Sequence, residues 1–308
     1  MNYYGQRRRN RLSITQHGNA LTMLLAIHLV VFVILAFTKM IYYFGNSSEG
    51  LTLYHKNILS WVTLPAFLPD LLTRPWTLIT HFFTHDNVWH LIANMLWLWA
   101  FGHILQELSG NRKIIPIFLY GAFAGALAFI ITFNLIPALK INLINAKALG
   151  ASAGVMSVAI ATTVLAPGYR IFPMINGGIP LWVITMIFVI IDLATIPYNN
   201  PGGHIAHLAG AGMGFLFMVI LRNGKDPGAW INNFFDWVNN LFNPEKPKKG
   251  KEVKKQLFYK STVSPYKKTT IITQQRIDEI LDKIGQKGYE SLTPDEKEIL
   301  KQASKEDF

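Results

Sequence analysis

Apolar residues in this chain come in runs of about 20, the length a helix needs to cross the hydrocarbon core of a bilayer. The runs cover 20–44, 89–108, 114–137, 148–166, 179–197 and 204–222. They predict an all-α membrane protein, built as a six-transmembrane-helix bundle. Composition agrees: 51% of residues are hydrophobic and 15% charged, where a soluble domain carries about a quarter charged residues.

The charge balance points to a lipid surface. Lys and Arg number 29 against 18 Asp and Glu, and much of the excess lies at the two ends. Aromatic residues do not interleave with the basic runs as a nucleic-acid platform requires, so no nucleic-acid partner is expected. There is no cysteine, which removes disulfide and thiolate chemistry. The first apolar run is too long for the core of a cleavable signal peptide.

The chain divides into three regions. Residues 1–19 form a basic segment with Arg7, Arg8, Arg9 and Arg11, the pattern of a cytoplasmic anchor. Residues 20–222 form the membrane domain. Within it, 45–87 are too apolar for a free loop and too broken for a span, and read as an insertion at the outer interface. Residues 223–308 form a cytoplasmic, helical C-terminal tail. It holds an interfacial amphipathic helix (229–242), a Lys-rich linker (244–260) and a helical hairpin (272–303), for which a protein partner is expected. The capping box Thr293-Pro294-Asp295-Glu296 starts the hairpin's second helix. With basic segments kept inside, both termini are cytoplasmic and the expected location is the bacterial cell (inner) membrane.

Chemistry concentrates at Ser152, set between Gly150 and Gly154. One reading is packing alone: Gly150, Gly154, Ser157 and Ala161 share a face of the fourth helix, a common membrane helix contact. The other is a sterically open nucleophile. Further polar residues stand where hydrocarbon is expected: His81, His85, His90 and Asn94 in one cluster, His204 and His207 in another. His90 and Asn94 share a helix face, and so do His207, Gly210 and Gly214. If the glycine seams of the fourth and sixth helices meet, His207 comes within reach of Ser152, the minimum for acyl transfer. Both residues lie near the start of helices that leave the outer face, hence at similar depth. Lone His28 has no evident partner. A zinc site at His81 and His85 lacks a third ligand, so no metal and no cofactor are expected. Proton transport through Asp192 and Glu107 is a rival, with Asp192 read in preference as a structural hydrogen-bonding group.

The set His85-x4-His90-x3-Asn94, Gly150-x-Ser152 and His207-x2-Gly210-x3-Gly214, each on its own helix, resembles the rhomboid family of intramembrane serine proteases. Trp76 before it, and Gly102 through Glu107 to Gly110, also resemble that family. The resemblance implies a hydrolase that cleaves transmembrane segments of other proteins in the bilayer, with a cavity open to water. It implies Ser152 as nucleophile and His207 as general base, a dyad with no third acid. His90, Asn94 and the Ser152 N–H would form the oxyanion hole, supported by His85, Gly150, Met156, Gly210 and Gly214. Departures are Ala153 where many members have glycine, Met156 where many have tyrosine, and Trp76-Thr77 in place of a Trp-Arg pair. The alternative is a rhomboid-like, non-proteolytic membrane-helix binding protein. Such relatives typically lack the serine or the histidine.

Overall fold

A computed structural model describes residues 19–45, 48–172, 174, 177–241 and 274–303. The arginine cluster of 1–18 and the Lys-rich linker lie outside the described residues. The chain forms two compact units, Met1–Pro244 and Glu245–Phe308.

The first unit opens with α1 (Ala20–Gly45), whose first N–H groups are capped by the Asn19 side chain, which accepts from Leu21 N at 3.0 Å and Thr22 N at 3.2 Å. The insertion then folds as α2 (Gly50–Asn57), a 3-10 turn (Leu59–Trp61), strand β1 (Leu64–Pro65), α3 (Leu68–Thr73), α4 (Thr77–Thr80) and a second 3-10 turn (His81–Phe83). It has its own small core of Leu64 and Ala66 beneath Phe129 and Phe133. Trp61 and Trp76 stack at its surface, with Trp76 Nε1 donating to Trp61 O at 2.8 Å. Exposed indoles suit a membrane interface, where one edge is apolar and the other wet.

Next come α5 (Val88–Ser109), α6 (Ile114–Leu135), α7 (Pro137–Lys140), strand β2 (Lys147–Ala148) and α8 (Ser152–Leu165). After β3 (Arg170–Ile171) and β4 (Ile179–Pro180) follow α9 (Leu181–Thr195), α10 (Pro201–Arg222) and α11 (Ala229–Leu241). Among the described residues, four helices are long and apolar enough to cross a membrane: α1, α5, α6 with the turn before it, and α10; α8 and α9 are shorter apolar helices. The tightest packing is among α6, α8 and α10.

Three boundaries differ from the sequence reading. The fourth helix begins at Ser152, not at 148. Ala148 pairs instead with Leu64 in the antiparallel β1–β2 bridge, and Gly150 breaks the helical path with φ +109°, a conformation that favours glycine. At 14 residues, α8 is only about 21 Å long, shorter than the roughly 30 Å hydrocarbon core of a bilayer. The fifth helix is also shortened, to Leu181–Thr195. The sixth begins earlier, at Pro201, because Asn200 caps it by accepting from Gly203 N at 3.2 Å and proline suits the first helical position.

Helix α11 carries Trp230, Phe234, Trp237 and Leu241 exposed on one face. It and the turn before it are tied to α6 and the turn before that helix, by Trp230 Nε1 donating to Tyr120 Oη (2.8 Å), by Tyr120 Oη donating to Pro227 O (3.0 Å), and by Arg112–Asp236 and Lys113–Asp226 ion pairs.

The second unit consists of α12 (Gln274–Lys287), a 3-10 turn (Tyr289–Ser291) and α13 (Pro294–Ala303). The capping box is formed. Thr293 N donates to Glu296 Oε2 at 2.8 Å, and Glu296 N donates to Thr293 Oγ1 at 3.4 Å. Ile277, Ile280 and Leu292 are buried, whereas Leu281 is exposed.

Candidate active site

Ser152 is the first residue of α8. The first N–H groups of a helix have no partner within it and carry the positive end of its dipole. The serine therefore sits on a ready site for developing negative charge. The loop that delivers it is fixed from three sides: the β1–β2 bridge, Gly150 N donating to His81 O at 2.9 Å, and Ala151 N bonded to His85 Nε2 at 3.4 Å.

His207 lies two turns into α10, and its Nε2 is 2.7 Å from Ser152 Oγ. The close approach needs glycine. A Cβ built on Gly214 would sit 2.8 Å from the Ser157 carbonyl carbon, and Gly210 is set as tightly against Ala153. The seam on α8 is thus the backbone at Ala153 and Ser157. Gly154, expected in that seam, faces Phe118 of α6 instead, where a Cβ would meet the ring at 2.6 Å. Gly150 is not helical at all. It faces His90, whose Cε1 would be 2.6 Å from a Cβ there.

Ser152 and His207 open into a cavity of about 300 Å³. His81, His90, Gly125, Lys147 and Asn200 also line it. Neither ring nitrogen of His90 has a hydrogen bond among the described residues, so both are available to a ligand. Asn94 is placed differently. It is buried, does not line the cavity, and its Nδ2 lies 2.9 Å from His90 O and 3.3 Å from His85 Nε2. Met156 is buried one turn after the serine. His81 Nδ1 is 2.7 Å from Thr77 O, and His28 bridges Leu24 O (2.7 Å) and Phe82 O (3.1 Å). Both rings are held by backbone carbonyls.

One partner of the base was not foreseen. Asp192 of α9 is buried, and its Oδ1 accepts from His207 Nδ1 at 2.9 Å and from His204 Nδ1 at 2.7 Å. The dyad implied by the resemblance therefore has a carboxylate behind it. The sequence marked Asp192 as an acid within an apolar run, but nothing in its spacing pointed at α10. Asp192, His204 and His207 offer three ligand atoms within 4.8 Å of one another. Both Nδ1 atoms already bond a single oxygen, so hydrogen bonding accounts for this geometry without an ion.

The Rhomboid domain family matches residues 72–224. The chain belongs to the rhomboid family. A second match, to a family of unknown function (DUF6576), covers residues 265–306. The rhomboid is 31% identical over 161 residues to Rhomboid protein 1, mitochondrial, of Saccharomyces cerevisiae, covering 48% of this chain and 42% of that protein. It is 24% identical over 161 residues to RHOMBOID-like protein 12, mitochondrial, of Arabidopsis thaliana, covering 49% and 48%. It is 32% identical over 62 residues to Rhomboid protease GlpG of Salmonella newport, covering 20% and 22%. The chain thus spans about half or less of the length of these relatives. The two that align over 161 residues carry mitochondrial names, which overturns the expectation of a bacterial cell membrane. The multi-pass membrane character stands.

Proposed function

We propose that this rhomboid is an intramembrane serine endopeptidase that cleaves transmembrane segments of other membrane proteins. The observation that carries the reading is the 2.7 Å contact between Ser152 Oγ and His207 Nε2 at the mouth of α8. A serine hydroxyl is a weak nucleophile until a base takes its proton. In this reading His207 Nε2 accepts that proton while Oγ bonds the scissile carbonyl carbon. The carbonyl electrons move onto oxygen. The Ser152 N–H and His90 donate to that oxyanion, with Asn94 and His85 holding the wall behind it. Collapse breaks the C–N bond, and the proton on Nε2 passes to the leaving amine. Water then hydrolyses the acyl-enzyme by the same steps in reverse order.

The membrane domain is proposed to span 20–222 with six helices, α8 and α9 completing the four long ones. The short α8 supports a nucleophile recessed in the bilayer yet reached by water through the cavity. The substrate is a transmembrane protein presented by the lipid phase. The tail, from 223, is proposed to place α11 on the interface and to offer the hairpin of 272–303 to a protein partner. The competing reading is a membrane-helix binding protein without proteolysis. The paired serine and histidine favour the enzyme.

A fluorophosphonate probe on the detergent-solubilised protein decides between them. Wild type is expected to label, and Ser152→Ala and His207→Ala are expected not to. Equal labelling of wild type and Ser152→Ala overturns the assignment of the nucleophile.

A further inference from the structure

We propose that Asp192 is a positioning residue for the general base, so that this site works as an Asp192–His207–Ser152 relay rather than as a dyad. The proposal rests on the protease reading above. A neutral imidazole carries one proton, and only the form protonated on Nδ1 leaves a lone pair on Nε2 for the serine proton. Asp192 Oδ1, 2.9 Å from His207 Nδ1, accepts that Nδ1–H and so selects the competent tautomer and fixes the ring plane. When Nε2 takes the Ser152 proton, the imidazolium faces a buried carboxylate, which stabilises the charge. Asp192 takes no proton itself.

The carboxylate is well made for this. It is buried, and an isolated buried carboxylate is strongly disfavoured unless its charge is met by donors. His204 Nδ1 meets the same oxygen at 2.7 Å and also lies 3.2 Å from Thr195 Oγ1. The carboxylate is therefore held from two directions and does not depend on His207 for its place. The arrangement also joins α9 to α10. Elsewhere α9 carries exposed apolar side chains such as Met186, Ile187, Ile190 and Leu193. A purely structural tie between the two helices needs His204 alone; the second bond, to the ring that touches Ser152, is what the relay explains.

The test uses the full-length protein in detergent, with Asp192→Asn, Asp192→Glu and Ser152→Ala. Fluorophosphonate labelling rates are measured beside thermal unfolding. The groups that face His207 are Asp192 from α9, His204 from its own helix, Ser152 from α8 and His90 from α5 across the cavity, with Lys147 at the rim. Asp192→Asn is expected to stay folded and to label about 10²- to 10⁴-fold more slowly, the range that general base catalysis contributes. Asp192→Glu, which keeps the charge, should recover part of the rate. The proposal is overturned if Asp192→Asn labels at the wild-type rate. It is equally overturned if rate and melting temperature fall together and Asp192→Glu restores neither, the signature of a structural tie. Labelling of Ser152→Ala sinks the protease reading instead, and is scored separately.

Discussion

Gly210 of α10 lies directly on the backbone of Ala153, the residue after the serine. A Cβ built on it would stand 2.8 Å from the Ala153 carbonyl carbon and 3.0 Å from its Cα. Backbone atoms in a helix cannot step aside as a flexible side chain can. Gly210→Ala is therefore expected to push α10 away from α8, costing about 1–3 kcal/mol of stability, as overpacking does. The serine–histidine contact should lengthen with it, so probe labelling falls along with the melting temperature. Gly212 is the control: it has nothing within 4 Å of a built Cβ. Gly212→Ala should leave both measurements near wild type. Equal loss from the two variants would show that helix propensity, not the seam, sets the effect.

The absence of native cysteine allows a direct test of the six-span reading. Single cysteines are placed at Asn142, Gly168, Tyr198 and Asn223, all exposed. With α8, α9 and α10 each crossing once, positions 142 and 198 should share one side of the membrane and 168 and 223 the other. Labelling by an impermeant maleimide in sealed vesicles, before and after permeabilisation, reads the sidedness. Labelling of 168 and 198 from the same side would remove α9 from the spans.

The candidate chemistry was legible because polar groups in an apolar run are conspicuous. Ser152 and His207 stand out from their neighbours by residue type, and Gly210 and Gly214 mark the face of α10 that packs closely. What could not be read was any feature set by contact between distant segments. The start of α8 depends on Ala148 pairing with Leu64, 84 positions earlier, and no local propensity encodes that. The face of Gly154 depends on how α8 is rotated between α6 and α10, so a correct small-residue spacing was given the wrong neighbour. Asp192 was visible as an anomaly, but its partner lies on another helix. Asn94 shares a face with His90, yet one turn moves it from the cavity wall to the layer behind.

The second unit has its own pH dependence. Lys283 Nζ bonds both Glu296 carboxylate oxygens, at 3.0 and 2.8 Å. That ammonium first, and the Thr293 N–H next, hold the Glu296 carboxyl down from its ordinary 4.5 to about 2. A carboxyl whose folded pKa is lowered stabilises the fold above its unfolded value and loses that contribution as pH falls toward the folded one. Hydrogen exchange of the full-length protein should thus show protection of α12 and α13 declining between pH 4.5 and about 2. Glu296→Gln should be less protected at neutral pH and flatter across that window. An unchanged decline in Glu296→Gln would move the acid sensitivity to another group.

His90 and Asn94 separate the oxyanion pocket from its support. His90 lines the cavity with both ring nitrogens free of hydrogen bonds among the described residues, and it is pressed against Gly150 beside the serine. Removing a donor that acts only on the developing oxyanion costs about 100- to 1,000-fold in turnover while the resting fold hardly notices. His90→Ala is expected to behave in that way. Asn94 instead gives its amide to His90 O and His85 Nε2, away from the cavity. Asn94→Ala leaves the buried His85 nitrogen one partner poorer, which should cost roughly 1–3 kcal/mol. Its turnover per folded molecule should fall less than that of His90→Ala, and only because the wall behind His90 has loosened. The measurement is cleavage of a reporter membrane helix by each purified variant, normalised to the folded fraction from its unfolding curve. A larger turnover loss for Asn94→Ala at an unchanged melting temperature would make Asn94 the direct donor and place its working rotamer in the cavity.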